Sequence, residues 1–152
     1  MAICKPIELK AKLARNQTIL GLDLGTKTIG LALSDAGHMI ASPLLTIVRR
    51  KFTQDAIELE ALIDKHNVGA LLIGLPVQMD GTEGARAQAT RSFASEVLKR
   101  RDLPIAFWDE RLSTAAVQRM LTDEADLSRK RRAEVVDKAA AAYILQGALD
   151  SI

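Results

Sequence analysis

The stretch ILGLDLGTKTIGLALSD, residues 19–35, places a single acidic residue inside an otherwise apolar strand pattern. Strand alternation puts Asp23 on the same face as Gly21 and Gly25, which leave room beside its carboxylate. A carboxylate in an apolar strand costs free energy unless a partner compensates its charge. Either a cation or the backbone amides of the following turn could be that partner, and this stretch alone leaves both open.

The composition is typical of one folded domain with an aliphatic core. Of the 152 residues, 48% are hydrophobic but only 3% are aromatic, which disfavours a protein that stacks RNA bases on an exposed aromatic sheet. The single cysteine excludes an internal disulfide and a cysteine-based zinc cluster. No apolar run approaches the ~20 residues of a membrane span, and residues 1–18 lack a signal-peptide pattern, so we expect a cytoplasmic protein.

The order of predicted elements indicates an α/β fold. Residues 1–18 form an N-terminal arm that we expect to add little to the core, and residues 19–152 form a single domain. Three strands with short connections predict an antiparallel meander, and two later strands that follow helices predict parallel pairing. Pro43 in the third strand indicates a sheet edge or a bulge. The sequence therefore predicts a five-stranded mixed sheet flanked by about four helices, of which one covers residues 113–121.

Two further acids are predicted to point toward the same region as Asp23. Asp109 and Glu110 end the fifth predicted strand, where ligands of open parallel sheets gather. Neighbouring strand residues face opposite ways, so only one of the two acids should enter a given site, and Glu110 has the longer reach. The alternative to a site role, for both residues, is that they are ordinary acids at the start of the next helix. Asp137 shares an apolar stripe of the last predicted helix, so we expect it to face the sheet.

Three carboxylates without a histidine or cysteine partner predict a site for hard cations, Mg²⁺ or Mn²⁺. Two such ions ~4 Å apart can support phosphodiester hydrolysis. The basic run at residues 129–132, in a predicted polar loop, suits a polyanion, although basic runs are also common on solvated surfaces. Arg111, directly after Glu110, is a candidate for binding phosphate.

Four segments in this order resemble the RuvX family, also called YqgF. They are GLDLGTKTIGLALSD, LLIGLPVQMDGTEGARAQATRSFA, FWDERLSTAAVQRML and VDKAAAAYILQGALD. The resemblance covers nearly all of residues 19–150 and implies an RNase H-like fold. Family members are described as nucleases of pre-16S ribosomal RNA and, earlier, as Holliday junction resolvases. The resemblance implies that Asp23, Glu110 and Asp137 are both the catalytic residues and the metal ligands.

The family loop GLP…MDG…G matches residues 74–84, where glycines allow backbone amides to approach an anionic strand. Arg86 could reach the same phosphate, whereas we interpret Asp80 as a turn former. Thr28 stands where the family often has a basic residue, which leaves Lys27 to supply that charge. The predicted nucleic-acid-binding residues are Thr26, Lys27, Arg86, Arg111, Arg129, Lys130, Arg131 and Arg132.

Several functions remain open at this level. The leading one is a metal-dependent endonuclease that matures the 5′ end of pre-16S rRNA, as free RNA or in a pre-ribosomal particle. Cleavage of branched DNA junctions is the alternative enzyme and requires a dimer, and nothing in the sequence decides between monomer and homodimer. A non-catalytic RNA-binding assembly factor is the alternative of another class. The DLGTKTIG loop also resembles that of sugar kinases and actin-like ATPases. Those proteins clamp nucleotide between two such domains, whereas 152 residues hold only one, which disfavours this function.

Overall fold

The computed structural model describes residues 3–78, 80–110 and 129–152, with side chains in the last helix described from Lys138 onward. The strands are β1 (Ile3–Cys4), β2 (Thr18–Leu24), β3 (Thr28–Ser34), β4 (Ala41–Val48), β5 (Val68–Leu75) and β6 (Ile105–Asp109). The helices are α1 (Leu9–Lys12), α2 (Phe52–Lys65), α3 (Ala85–Arg100) and α4 (Arg129–Ser151), and a 3₁₀ turn spans Pro6–Glu8. The helix predicted over residues 113–121 lies outside the described residues.

The strands form one mixed sheet in the order β1-β6-β5-β2-β3-β4. β2, β3 and β4 are the predicted antiparallel meander, and β5 and β6 run parallel to β2 as predicted. Pro43 lies on β4 at the sheet edge, opposite a register shift between Leu31 and Ala32. An edge strand with a bulge tolerates proline because the missing N–H costs no ladder hydrogen bond.

Each face of the sheet carries its own apolar core. One face packs against α2 and α3 through a cluster that includes Leu22, Ile63 and Phe93. The other packs against α4 through a cluster that includes Ile19 and Leu145. Gly21 lies on the α4 face, where an added Cβ would sit 2.9 Å from the Cβ of Leu145. This close approach of helix and strand fixes α4 over the face toward which Asp23 also points.

The N-terminal arm is part of the core, contrary to our expectation. β1 pairs with β6 in parallel, so the sheet has six strands instead of five. Leu9 is only 1% exposed within the α4-side cluster, and Lys10 Nζ donates a hydrogen bond to the carbonyl of Ile152 at 3.2 Å. The sequence is compatible with one helical turn near residues 8–14, and α1 is that turn. A two-residue strand is too short to show a periodic pattern, which is why the sequence did not reveal β1.

The basic run at residues 129–132 is helical, which corrects the predicted loop. The last helix begins at Arg129 and therefore includes all four basic residues, which the sequence analysis placed in a loop before it. Lysine and arginine have high helix propensities, so a basic run is as compatible with a helix as with a loop. Across the described ranges, no helix is long and apolar enough to cross a membrane.

Candidate active site

Asp23 and Glu110 meet at the carboxyl ends of two parallel strands, β2 and β6, that lie on either side of β5. Asp23 is the sixth residue of β2, Glu110 directly follows β6, and β5 lies between them. Their side chains form a hydrogen bond with each other. The room for this contact comes from Gly74 on β5, where an added Cβ would sit 3.0 Å from Glu110 Cγ and 2.7 Å from Ile144 Cδ1. A larger residue there would displace the Glu110 carboxylate.

Strand alternation separates Glu110 from Asp109. Trp108 packs with the α4-side cluster and Phe107 with the cluster under α2 and α3. Asp109 therefore shares the face of Phe107, and Glu110 extends the line of Trp108 and Gly74. Of these two acids, only Glu110 is on the sheet face toward which Asp23 points.

The environment of Asp23 strongly favours its protonated form. Burial first, and then the hydrogen bond and charge of Glu110, together raise the pKa of Asp23 to about 8. The Arg86 guanidinium lowers the same pKa but does not reverse the shift. At neutral pH the metal-free pair is therefore held together by a proton on Asp23. A divalent cation could replace that proton, because two carboxylates offer the oxygen donors that hard cations prefer.

The third predicted acid, Asp137, lies within α4, but its side chain is outside the described residues. Among the side chains that the structure describes, there is no group of three or more histidine, cysteine, aspartate or glutamate residues that could hold a metal ion. The described part of the site therefore contains two acidic side chains, Asp23 and Glu110, that could contribute to a metal site.

The structure describes the side chains of some of the predicted phosphate-binding residues and not of others. Thr26 and Lys27 are exposed in the turn between β2 and β3. Arg86, in the first turn of α3, donates from Nη2 to the carbonyl of Leu24 at 3.3 Å. Arg111 lies outside the described residues, as do the side chains of Arg129, Lys130, Arg131 and Arg132.

Arg49, which sequence reasoning did not single out, contacts the turn that follows β2. It follows β4 and donates from Nη1 to the carbonyl of Gly25 at 2.6 Å. Its guanidinium carbon lies 5.9 Å from the ring centroid of Phe93. Its only sequence signal is the basic run of residues 49–51, which gives no direction for any one side chain.

The loop that follows β5 is a short hairpin. Val77 and Glu83 form an isolated antiparallel bridge, and Asp80 Oδ1 accepts hydrogen bonds from the backbone and hydroxyl of Thr82. The turn-forming role predicted for Asp80 is therefore confirmed. Glu83 is held by Arg91 through two hydrogen bonds of 2.6 and 2.7 Å, and the Arg91 guanidinium stacks 4.9 Å from the centroid of Phe107.

Comparison with known proteins identifies the family to which this chain belongs. The family model described as "RuvX: Holliday junction resolvase" matches residues 17–151. The chain belongs to the RuvX family. A relative from Paramagnetospirillum magneticum is 65% identical, with 99% of this chain and 97% of the relative covered. One from Rhodospirillum rubrum is 59% identical, covering 100% of this chain and 94% of its own. Both RuvX relatives bear the name "Putative pre-16S rRNA nuclease".

Solved structures confirm the predicted RNase H-like fold of this RuvX protein. RuvC from Thermus thermophilus, in complex with a Holliday junction substrate, superposes with a TM-score of 0.55 at 12% identity, over 89% of this chain and 94% of RuvC. The fowlpox virus resolvase, also bound to junction DNA, gives a TM-score of 0.54 at 8% identity, over 89% and 98% of the two chains. At these identities the likeness establishes the fold alone.

Proposed function

We propose that this RuvX protein is a metal-dependent endonuclease that hydrolyses a phosphodiester bond in structured RNA at the 5′ end of pre-16S rRNA. The observation that carries the proposal is the pairing of the Asp23 and Glu110 carboxyl groups at the carboxyl ends of β2 and β6. The names of the relatives support the choice of substrate. This substrate would be met in the cytoplasm, and we propose that the protein acts there.

Asp137 completes the proposed acid set. The carbonyl oxygen of Ala141 would lie 3.3 Å from a Cβ added at Gly21. Position 137 is one helical turn before Ala141, and Asp23 is two residues beyond Gly21 on the same strand face, so each lies ~6 Å from this contact along its own element. That spacing supports a shared site, with Asp23, Glu110 and Asp137 as ligands for one or two Mg²⁺ or Mn²⁺ ions.

The ions would supply water activation and stabilisation of the leaving oxygen, which the described side chains do not offer. The chain's own contribution is to hold the acids and the substrate in place. Gly74 leaves the space that Glu110 occupies, and Arg86 places positive charge beside Asp23. Arg86 and the exposed Lys27 would bind backbone phosphates, together with Thr26, Arg111 and the basic residues 129–132.

A cleavage assay tests the proposal. Precursor rRNA that carries the 5′ extension, free or in a 30S precursor particle, is incubated with the full chain and Mg²⁺. We expect a defined 5′ cut by the wild type and a loss of at least 100-fold in rate for Asp23→Asn, which keeps the side-chain size but removes a metal ligand. Equal cleavage by both proteins would contradict a catalytic role for Asp23. Tight RNA binding without cleavage would indicate the non-catalytic assembly factor instead.

Cleavage of four-way DNA junctions is a second candidate, favoured by the description of the family model. Symmetric cutting of a junction needs two active sites and hence a homodimer. Parallel assays on a synthetic junction and on precursor rRNA, with the oligomeric state measured at the same concentration, separate the two substrates. A monomer that cuts only the RNA excludes the junction function.

A further inference from the structure

A small cleft lies at the carboxyl end of β2, on the side of the strand that faces α3, and one of its lining residues, Arg86, also interacts electrostatically with Asp23. Its volume is about 80 Å³, and it is bordered by the turn after β2, by Arg49 and Arg86, and by the ring of Phe93. A nucleotide-sized ligand needs several hundred Å³, so the cleft is too small for a base with its sugar. A group of the size of one phosphate fits it.

Both guanidinium groups at the cleft are oriented by the same turn. Arg86 donates to the carbonyl of Leu24 and Arg49 to the carbonyl of Gly25, the next residue. A guanidinium carries five N–H donors, and each of these hydrogen bonds uses one of them. The two side chains are therefore fixed at one end while further donors stay available at the cleft.

These two arginines differ from the other basic side chains near α3. Arg91, Lys99, Arg100 and Arg101 each form an ion pair with a carboxylate. Over the described residues, neither Arg49 nor Arg86 forms such a salt bridge. The electrostatic partner of Arg86 is Asp23, which belongs to the acid pair itself. Within the described part of the chain, two guanidinium groups that line one cleft and form no carboxylate salt bridge place positive charge there that a phosphate can compensate.

We infer that Arg49 and Arg86 form a subsite for one non-scissile backbone phosphate of the nucleic acid strand that is cut at Asp23 and Glu110. This inference rests on the proposed function and specifies how the substrate strand is held. The strand passes from the acid pair over the turn between β2 and β3 and reaches Arg49. Arg49 is a substrate-binding residue in this arrangement, and Phe93 keeps its guanidinium in place by a cation–π contact.

Binding measured without cleavage tests the subsite. A fluorescein-labelled RNA hairpin with a single-stranded 5′ extension and a labelled four-way DNA junction are titrated in EDTA at several KCl concentrations. Loss of one phosphate contact lowers the slope of log affinity against log salt by ~0.7–0.9. We expect this decrease, with about a tenfold loss of affinity at low salt, for Arg49→Gln on whichever probe the wild type binds. Arg49→Lys, which keeps the charge, should retain the wild-type slope.

Arg15→Gln is the matched control, because it removes the same charge from an exposed turn before β2, at the opposite end of the strand from Asp23. It should leave the slope unchanged. The fluorescence of the single tryptophan, Trp108, checks that each variant is folded. Equal slopes for Arg49→Gln and the wild type would overturn the subsite, as would a wild type that binds neither probe.

A further binding titration of the same two probes replaces KCl by inorganic phosphate at equal ionic strength. Selective displacement of both nucleic acids by phosphate would mean that the cleft is a site for free anions and would overturn the assignment to a polynucleotide. Because none of these measurements involves cleavage, failure of the cleavage assay and failure of the subsite are distinguishable.

Discussion

At the scale of single residues, the shared proton between Asp23 and Glu110 makes stability depend on pH. The pKa of Asp23 is about 8 in the folded, metal-free protein and ~4 in an unfolded chain. Between these values the unfolded state releases the proton and the folded state keeps it. The contribution of Asp23 to the free energy of unfolding is therefore full below pH 4 and falls as pH rises toward 8.

Asp23→Asn removes this titration and keeps a donor toward Glu110. In EDTA, the wild type should lose stability between pH 5 and pH 8 while the variant does not. The difference in free energy of unfolding, variant minus wild type, should therefore rise by about 1–3 kcal/mol over this interval. We expect less than the full pKa shift would give, because the site is partly open to solvent. Urea denaturation of both proteins at the two pH values measures the difference. A variant that loses stability relative to the wild type as pH rises would contradict the raised pKa.

Gly74 is predicted to be essential for the position of Glu110. A methyl group at Gly74 would meet Ile144 Cδ1 at 2.7 Å and Glu110 Cγ at 3.0 Å. Gly74→Ala should cost about 1–3 kcal/mol of stability and displace the Glu110 carboxylate, with at least a tenfold loss of cleavage rate.

Gly147→Ala on α4 is the control for Gly74→Ala, because its new methyl group would have only an ordinary contact, at 3.4 Å, with Trp108 Nε1. The substitution removes a glycine from a helix and should stabilise the protein by about 0.5–1 kcal/mol. Urea denaturation and the precursor-rRNA assay together measure both variants. Full activity of Gly74→Ala would show that Glu110 can move without consequence.

A single site residue can be predicted from sequence only where its neighbours in the chain make it unusual. Asp23 could be singled out because an acid flanked by glycines in an apolar strand is unusual, and Glu110 because alternation and reach separate it from Asp109. Arg49 could not, because its direction depends on a hydrogen bond to Gly25, 24 residues away. The role of Asp137 remains a prediction.

At the scale of elements, the long strands and helices could be predicted, whereas the two-residue strand β1 could not. The meander, the two parallel strands and the bulge at Pro43 follow from turn residues, connection lengths and proline chemistry, which are local. β1 exists because the edge of β6 is available for pairing, which is a property of the assembled sheet. The start of α4 was misplaced because a basic run carries no clear helix-start signal.

The N-terminal arm should therefore be important for stability. Leu9→Ala removes a side chain that is 1% exposed and should cost about 2–4 kcal/mol. Ile7→Ala, two residues away but 68% exposed, should change stability by less than about 0.5 kcal/mol. Thermal and urea denaturation of the two variants check this contrast. Equal effects would mean that the arm does not stay packed in solution.

The hairpin after β5 is expected to depend on the ion pair between Arg91 and Glu83. Arg91→Lys keeps the positive charge but loses the bidentate pair of hydrogen bonds to Glu83 and the stacking on Phe107. Because the pair is partly exposed, global stability should fall by no more than about 1 kcal/mol. Amide exchange of Gln78 and Gly81, whose N–H groups donate within the hairpin, should become several-fold faster.

Lys99→Gln serves as the control for the hairpin, since it breaks an exposed ion pair with Glu96 on the same helix. It should leave the exchange of both hairpin amides unchanged. Exchange rates that do not respond to Arg91→Lys would mean that the backbone bonds alone hold the hairpin.

At the scale of the whole molecule, the acid site joins elements that are far apart in the chain. Asp23 and Glu110 come from strands separated by β5, and the proposal adds Asp137 from α4, which packs against the sheet at Gly21. Each element has its own core contacts, but the carboxylates repel one another once they are ionised. A divalent cation would convert that repulsion into a link between β2, β6 and α4.

Magnesium should therefore stabilise the protein as a unit. At pH 8, Mg²⁺ at ~10–100 times its dissociation constant should raise the free energy of unfolding by about 1.4–2.7 kcal/mol, in a single transition. Asp23→Asn and Glu110→Gln should each lose most of this gain, because either change removes a ligand charge. Urea denaturation with Mg²⁺, compared with KCl at equal ionic strength, separates specific binding from screening. A gain that is the same in the wild type and both variants would place the cation elsewhere and remove the physical basis of the nuclease proposal.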